Sequence, residues 1–109
     1  MNQTKIYALL DPISSEVRYV GKTHLTLAQR LNHHMKGSCA YPVGKWVYSF
    51  APIERSPVIV ELEGGLGDFE SREVEAFWIK YFLFIGANLL NRQHNGWTFG
   101  LKRRTRWDA

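Results

Sequence analysis

Cysteine occurs once in this chain, at Cys39, so no internal disulfide can form and no Cys-x-x-Cys pair exists to hold zinc. That usage fits a reducing compartment, and the cytoplasm is the expected location. Long apolar runs are missing as well. None approaches the roughly 20 residues of a membrane-spanning helix, and the longest candidate, residues 76–85, is interrupted by Lys80. No membrane association is expected. Met1-Asn2-Gln3-Thr4-Lys5 has no apolar h-region, so a secretory signal is not expected either. Internal repeats, low-complexity segments and interdomain linkers are also absent, and residues 1–109 read as one domain.

What is present is a core-forming composition, 45% hydrophobic and 14% aromatic, which argues for a folded chain. Net charge is +4, and four cations, Lys102, Arg103, Arg104 and Arg106, gather beside Trp107 in a tail at about 101–109. Such a tail is either simply solvated or contacts phosphates, and on its own it favours neither.

Two short strands open the chain. Ile6 to Leu10 and Val17 to Val20 are apolar, and Asp11-Pro12 between them supplies turn chemistry. The second strand runs into Gly21-Lys22-Thr23, and the hairpin should bring Tyr7, Tyr19 and Lys22 together at one end. Thr26 and Gln29 form a capping box that predicts a helix to about Lys36, stopped at Gly37, with Leu27, Leu31 and Met35 on its core face. Arg30 and His34 share a different face, which is either a solvated stripe or part of a site. Residues 44–50 suit a helix or a strand, with helix preferred, and Pro52 and Pro57 bracket a loop. Val58 to Glu63 reads as a third strand, ended by a turn at Gly64-Gly65-Leu66-Gly67. The longest helix should run from Asp68 or Ser71 to Ile85 and stop at Gly86, burying Val74, Phe77, Trp78, Tyr81, Phe82 and Ile85. Glu75 lies beside that stripe, as either its polar margin or a carboxylate aimed into a site. Leu89 and Leu90 pack back on the core, with Asn91 at its edge.

Three chemistries are set aside. A zinc site from His33, His34, Cys39 and His94 lacks tetrahedral-site spacing. Cys39 has no neighbour that would activate it as a nucleophile. The glycines at 64–67 follow a strand but match neither the dinucleotide fingerprint nor the P-loop.

The remaining polar set is Tyr7, Tyr19, Gly21, Lys22, Arg30, His34, Glu75 and Asn91. With Ile6-Tyr7, Tyr19-Val20-Gly21, Arg30-Leu31-x-x-His34, Glu75-x-x-Trp78-Ile79 and Leu90-Asn91 in that order, the chain resembles the GIY-YIG nucleases over roughly residues 5–96. The similarity is to single-domain members of phage or bacterial type, acting in a bacterial or phage-infected cell. Lys5 stands where the first glycine of the family name would be.

The resemblance implies an α+β fold, a small three-stranded antiparallel sheet flanked by helices. It also implies hydrolysis of DNA phosphodiester bonds with one divalent metal, Mg²⁺ or Mn²⁺. On the same basis Glu75 holds the metal and Arg30 stabilises charge on the scissile phosphate. Tyr7 or Tyr19 activates or orients the attacking water, with Lys22 and His34 assisting proton movement. Asn91 positions the Glu75 end of the site. A nearby metal, Lys22 and Arg30 would have to help a tyrosine act as base, since its ordinary pKa is about 10. Residues 36–40 carry no counterpart of the further histidine that some homing members have there, and the long recognition region of homing enzymes has no counterpart either. Target choice is then expected from the domain's own loops, from Lys22, Arg30 and the basic tail, or from a protein partner or self-association. The rival is a catalytically inactive nucleic-acid-binding module of the same fold. A purely structural role leaves the polar set unexplained.

Overall fold

The computed structural model describes residues 3–37 and 39–91. Strands β1 (Thr4–Leu10), β2 (Val17–Thr23) and β3 (Val58–Leu66) form one antiparallel sheet in the order β2-β1-β3. Helices α1 (Leu27–Met35) and α2 (Pro42–Tyr48) lie between β2 and β3 in sequence, and α3 (Asp68–Phe84) follows β3. The described residues are therefore α+β, with a small three-stranded antiparallel sheet and three helices. Among the described residues no helix is long and apolar enough to cross a membrane.

β1 is the central strand, and Ile6, Tyr7, Ala8 and Leu9 are all fully buried. A strand covered on both faces has no reason to alternate, which is why this one reads as a continuous apolar run. Its two faces do different work. Ile6 joins Val20, Leu66, Ile79 and Leu89 in the main core under α3. Tyr7 and Leu9 alternate to the other face.

Local chemistry sets most boundaries. Asp11 accepts hydrogen bonds from the Ile13 and Ser14 amides at 2.8 and 3.0 Å, closing the first turn. Those two amides, Ser14 first, hold the Asp11 carboxyl below its ordinary range. Thr26 Oγ1 accepts from Gln29 N at 3.1 Å and Gln29 Oε1 accepts from Thr26 N at 3.0 Å, the reciprocal box expected of α1. Asp68 and Glu70 occupy the first turn of α3, where negative charge suits the helix dipole, and Gly86 follows its end at φ +98°.

Several expectations need correcting. β3 does not stop at Glu63 but runs through Gly64 and Gly65 to Leu66. The register against β1 slips on either side of Ile6, and Gly65 sits at φ +69°, so this glycine pair forms a bulge inside a strand. Residues 51–53, expected in a loop, make one 3₁₀ turn. The core face of α3 is rotated from the expected stripe. Ser71 and Ile79 are its buried residues, with Val74, Trp78 and Phe82 packed against the core, whereas Phe77, Tyr81 and Ile85 are exposed. The helix is apolar on both sides, so periodicity alone admits either choice. On α1 no residue is fully buried: Leu27 and Leu31 are half-covered and Met35 is exposed. Residues 44–50 are helical from Pro42 to Tyr48, as preferred.

Candidate active site

Strand alternation and one glycine create the site. Tyr7 on β1 pairs with Gly21 on β2, and Leu9 with Tyr19, so both tyrosines lie on the sheet face away from α3. A Cβ at Gly21 would come within 2.5 Å of Tyr7 Oη and 3.0 Å of Tyr19 Cε2. Glycine is required here because the Tyr7 ring crosses over it. The two tyrosine rings are 6.3 Å apart between centroids.

α1 closes over this face. His34 packs edge-on against both rings, 5.8 Å from Tyr7 and 5.4 Å from Tyr19. One turn earlier, Arg30 Nε donates to Tyr7 Oη at 2.9 Å, and its guanidinium lies 5.8 Å from the ring centroid. Tyr7 Oη also contacts His34 Nε2 at 2.7 Å. Because Arg30 can only donate, the Tyr7 proton has His34 Nε2 as its described acceptor, which sets His34 as the Nδ1–H tautomer. Spacing of four along α1 brings both partners to one phenol, so the Arg30–His34 face packs on the sheet rather than forming a solvated stripe.

Lys22 belongs to the opposite face. It pairs with Ile6 and is exposed, and its charge acts on Glu75 of α3. Glu75 is half-buried, and desolvation raises its carboxyl above the ordinary range, partly offset by Lys22. Its charge also reaches both tyrosines, raising each. Burial is the largest cause in every case. It raises Tyr7 strongly, with Tyr19 adding to it and Arg30 only partly opposing. It raises Tyr19 as well, against the Arg30 charge. It lowers His34 to about 4, helped by Arg30 and His33. Both phenols and the imidazole are thus neutral near pH 7. The help expected from Arg30 in lowering a tyrosine pKa is outweighed, since desolvation of a buried phenol exceeds one partly exposed positive charge, and the charge of Lys22 acts on Glu75 instead.

Asn91 is buried and works on the β2 backbone. Its Nδ2 donates to Val20 O at 2.6 Å and its Oδ1 accepts from Val20 N at 3.1 Å. Just before it, Leu90 N donates to Arg18 O at 2.7 Å, and Arg18 Nε donates to Asn88 O at 2.8 Å. The segment therefore holds β2 straight between Tyr19 and Gly21.

His33 is the contributor that sequence reasoning passed over, having weighed it only as a zinc ligand. Its adjacency to His34 was the available signal. The basic tail residues Lys102, Arg103, Arg104 and Arg106 lie outside the described residues.

Among the described residues no three His, Cys, Asp or Glu side chains gather as a metal cluster. Glu75 nevertheless suits a hard divalent cation. Such an ion keeps most of its waters and takes one or two carboxylates plus phosphate oxygens. A desolvated carboxylate with a raised pKa is also one that a cation would stabilise. Compared with protein-family models, with curated proteins and with solved structures, this chain matches none.

Proposed function

We propose that this chain is a GIY-YIG-type endonuclease domain that hydrolyses DNA phosphodiester bonds with one divalent cation, Mg²⁺ or Mn²⁺, held by Glu75. The observation that carries the reading is the convergence of Arg30 Nε and His34 Nε2 on Tyr7 Oη, with Tyr19 against the same imidazole. Three titratable groups and a guanidinium from three separate elements, β1, β2 and α1, are held together where a solvated surface would leave them apart.

The roles follow from exposure and charge. Tyr7 is fully buried, whereas Tyr19 and Arg30 keep part of their surface in solvent. Tyr19 is therefore the tyrosine that meets the attacking water, and Tyr7 is a positioning residue that fixes Arg30 and His34. Arg30 spends Nε on Tyr7, which orients the rest of its fork toward a phosphate. Burial holds His34 low first and the Arg30 charge second; a bound phosphate offsets the second of these and so makes His34 a better proton acceptor. The cation would supply Lewis-acid stabilisation of charge on the phosphate. Lys22 contributes positive charge beside Glu75, and Asn91 keeps the β2 backbone in register under Tyr19.

The test is cleavage of supercoiled plasmid in Mg²⁺ or Mn²⁺ beside an EDTA control, with Arg30→Lys and Glu75→Gln alongside. Arg30→Lys keeps the charge but loses the fork and the Tyr7 contact, and should lower the single-turnover rate on the order of a hundredfold. Glu75→Gln should abolish cleavage without lowering the melting temperature. Full activity in EDTA or in Glu75→Gln overturns the metal assignment. DNA binding without cleavage by the wild type would make the protein an inactive binding module.

A further inference from the structure

The outer face of α3 repeats in a pattern that complements itself. Phe69, Glu73, Phe77, Lys80 and Phe84 follow one another at spacings of four, four, three and four, which keeps them in one line along the helix. That line is opposite the core-facing arc centred on Ser71, Val74, Trp78, Ile79 and Phe82. The three phenylalanines are 76%, 58% and 89% exposed, and Glu73 and Lys80 are exposed as well. A stripe of large aromatics left in water on a 17-residue helix marks a contact surface rather than a solvated face.

The order of residues identifies the occupant. Read backwards, the line is aromatic, basic, aromatic, acidic, aromatic, so it matches its own forward order with the charges exchanged. Two copies laid antiparallel about a two-fold axis near residues 76 and 77 set Phe69 opposite Phe84 of the second copy. The same axis sets Glu73 opposite the second copy's Lys80 and brings the two Phe77 rings together. The Phe69–Phe84 and Glu73–Lys80 pairs then occur twice and the Phe77 pair once, on the axis, as a two-fold contact requires, and both charges face an opposite charge. A parallel pairing would instead stack Glu73 on Glu73 and Lys80 on Lys80. We infer that a second copy of this chain docks antiparallel on the outer face of α3, with Phe69, Phe77 and Phe84 as its apolar line and two Glu73–Lys80 pairs setting the register. One helix pair is a small interface, so a dissociation constant of roughly 10–100 µM is expected. The pairing is independent of what the candidate active site cleaves: Tyr7, Tyr19, Arg30 and His34 lie on the sheet face away from α3, and Glu75, the proposed site's one residue on this helix, is half-buried and outside the aromatic line.

Sedimentation of the full chain, from about 1 to about 300 µM so as to bracket that constant, reads this directly. The mass should rise with concentration from 12.6 kDa towards twice that value. Phe84→Glu should remain monomeric throughout, with an unchanged melting temperature because the side chain is exposed. Glu73→Lys and Lys80→Glu should each weaken association several-fold, and the double exchange should restore it, since each variant charge then meets its opposite. A wild type that stays monomeric at the top concentration overturns the inference. A dimer that survives Phe84→Glu does so too, as does a double exchange that associates no better than the single variants.

Discussion

Gly21→Ala is the change that reads the packing of the site most directly. The added methyl would stand 2.5 Å from Tyr7 Oη, 2.7 Å from Tyr7 Cζ and 3.0 Å from Tyr19 Cε2. Tyr7 cannot swing aside, being fully buried and tied through its hydroxyl to Arg30 and His34. Overpacking a site of this kind costs about 1–3 kcal/mol. Displacing the ring also weakens two hydrogen bonds, each contributing about 1 kcal/mol. A total near 2–4 kcal/mol follows, which for a chain of this size lowers the melting temperature by roughly 10–20 °C. The assay is thermal and urea unfolding of wild type, Gly21→Ala, Tyr7→Phe and the double variant. Tyr7→Phe removes the atom closest to the new methyl and releases the ring to tilt, so the double variant should be less destabilised than the sum of the singles by about 1 kcal/mol. A Gly21→Ala melt within a few degrees of wild type, or strictly additive losses, would refute the claim that Tyr7 occupies the space over Gly21.

Two further outcomes are expected. Asn91→Ala strips both partners from the buried Val20 N–H and C=O, and should cost about 2–4 kcal/mol in urea unfolding; a loss under 0.5 kcal/mol would mean water replaces the amide at no penalty. His34 is the pH-sensitive member of the site. Its folded pKa of about 4 lies below the ordinary 6.5, so between those values the unfolded chain binds the extra proton. The stability it contributes is present above pH 6.5 and is lost as pH falls through 4. Imidazole NMR shifts should place its midpoint near 4, and a midpoint above 6 would contradict the neutral, Tyr7-bonded tautomer.

The elements that could be read from sequence are those whose cause is local. The Thr26–Gln29 box fixes the start of α1 within four residues, and Asp11 closes the first turn with its own side chain. β1 was legible for the opposite reason, since a strand buried on both faces leaves an unbroken apolar run. The Gly64–Gly65 pair was misread because a glycine pair can end a strand or bulge it. Only the register of Thr4 and Ile6 on the neighbouring strand decides between the two. The face of α3 was misread because aromatics ring the helix, and the choice of Ile79 over Tyr81 depends on Ile6 and Leu89, which are distant in sequence. Within the site, the pairing of Arg30 with His34 followed from helical spacing. That the apolar run of β1 includes Tyr7 was legible, but that its hydroxyl is held between Arg30 and His34 depends on how α1 closes over the sheet.

The side chain of Asn91 meets Val20 as a neighbouring strand would, giving one donor and one acceptor to a single backbone residue. With Leu90 N on Arg18 O, it occupies part of the outer edge of β2 that would otherwise be open to another strand. The sheet's other outer strand, β3, is bent by its glycine bulge and carries exposed Glu61 and Glu63, features that discourage edge-to-edge pairing. Three strands are few enough that an unprotected edge would be a large share of the sheet. The chain thus guards against aggregation differently on its two sides: by shape and charge on β3, and on β2 by the four residues 88–91. A chain lacking those residues would present β2 as a template for intermolecular pairing.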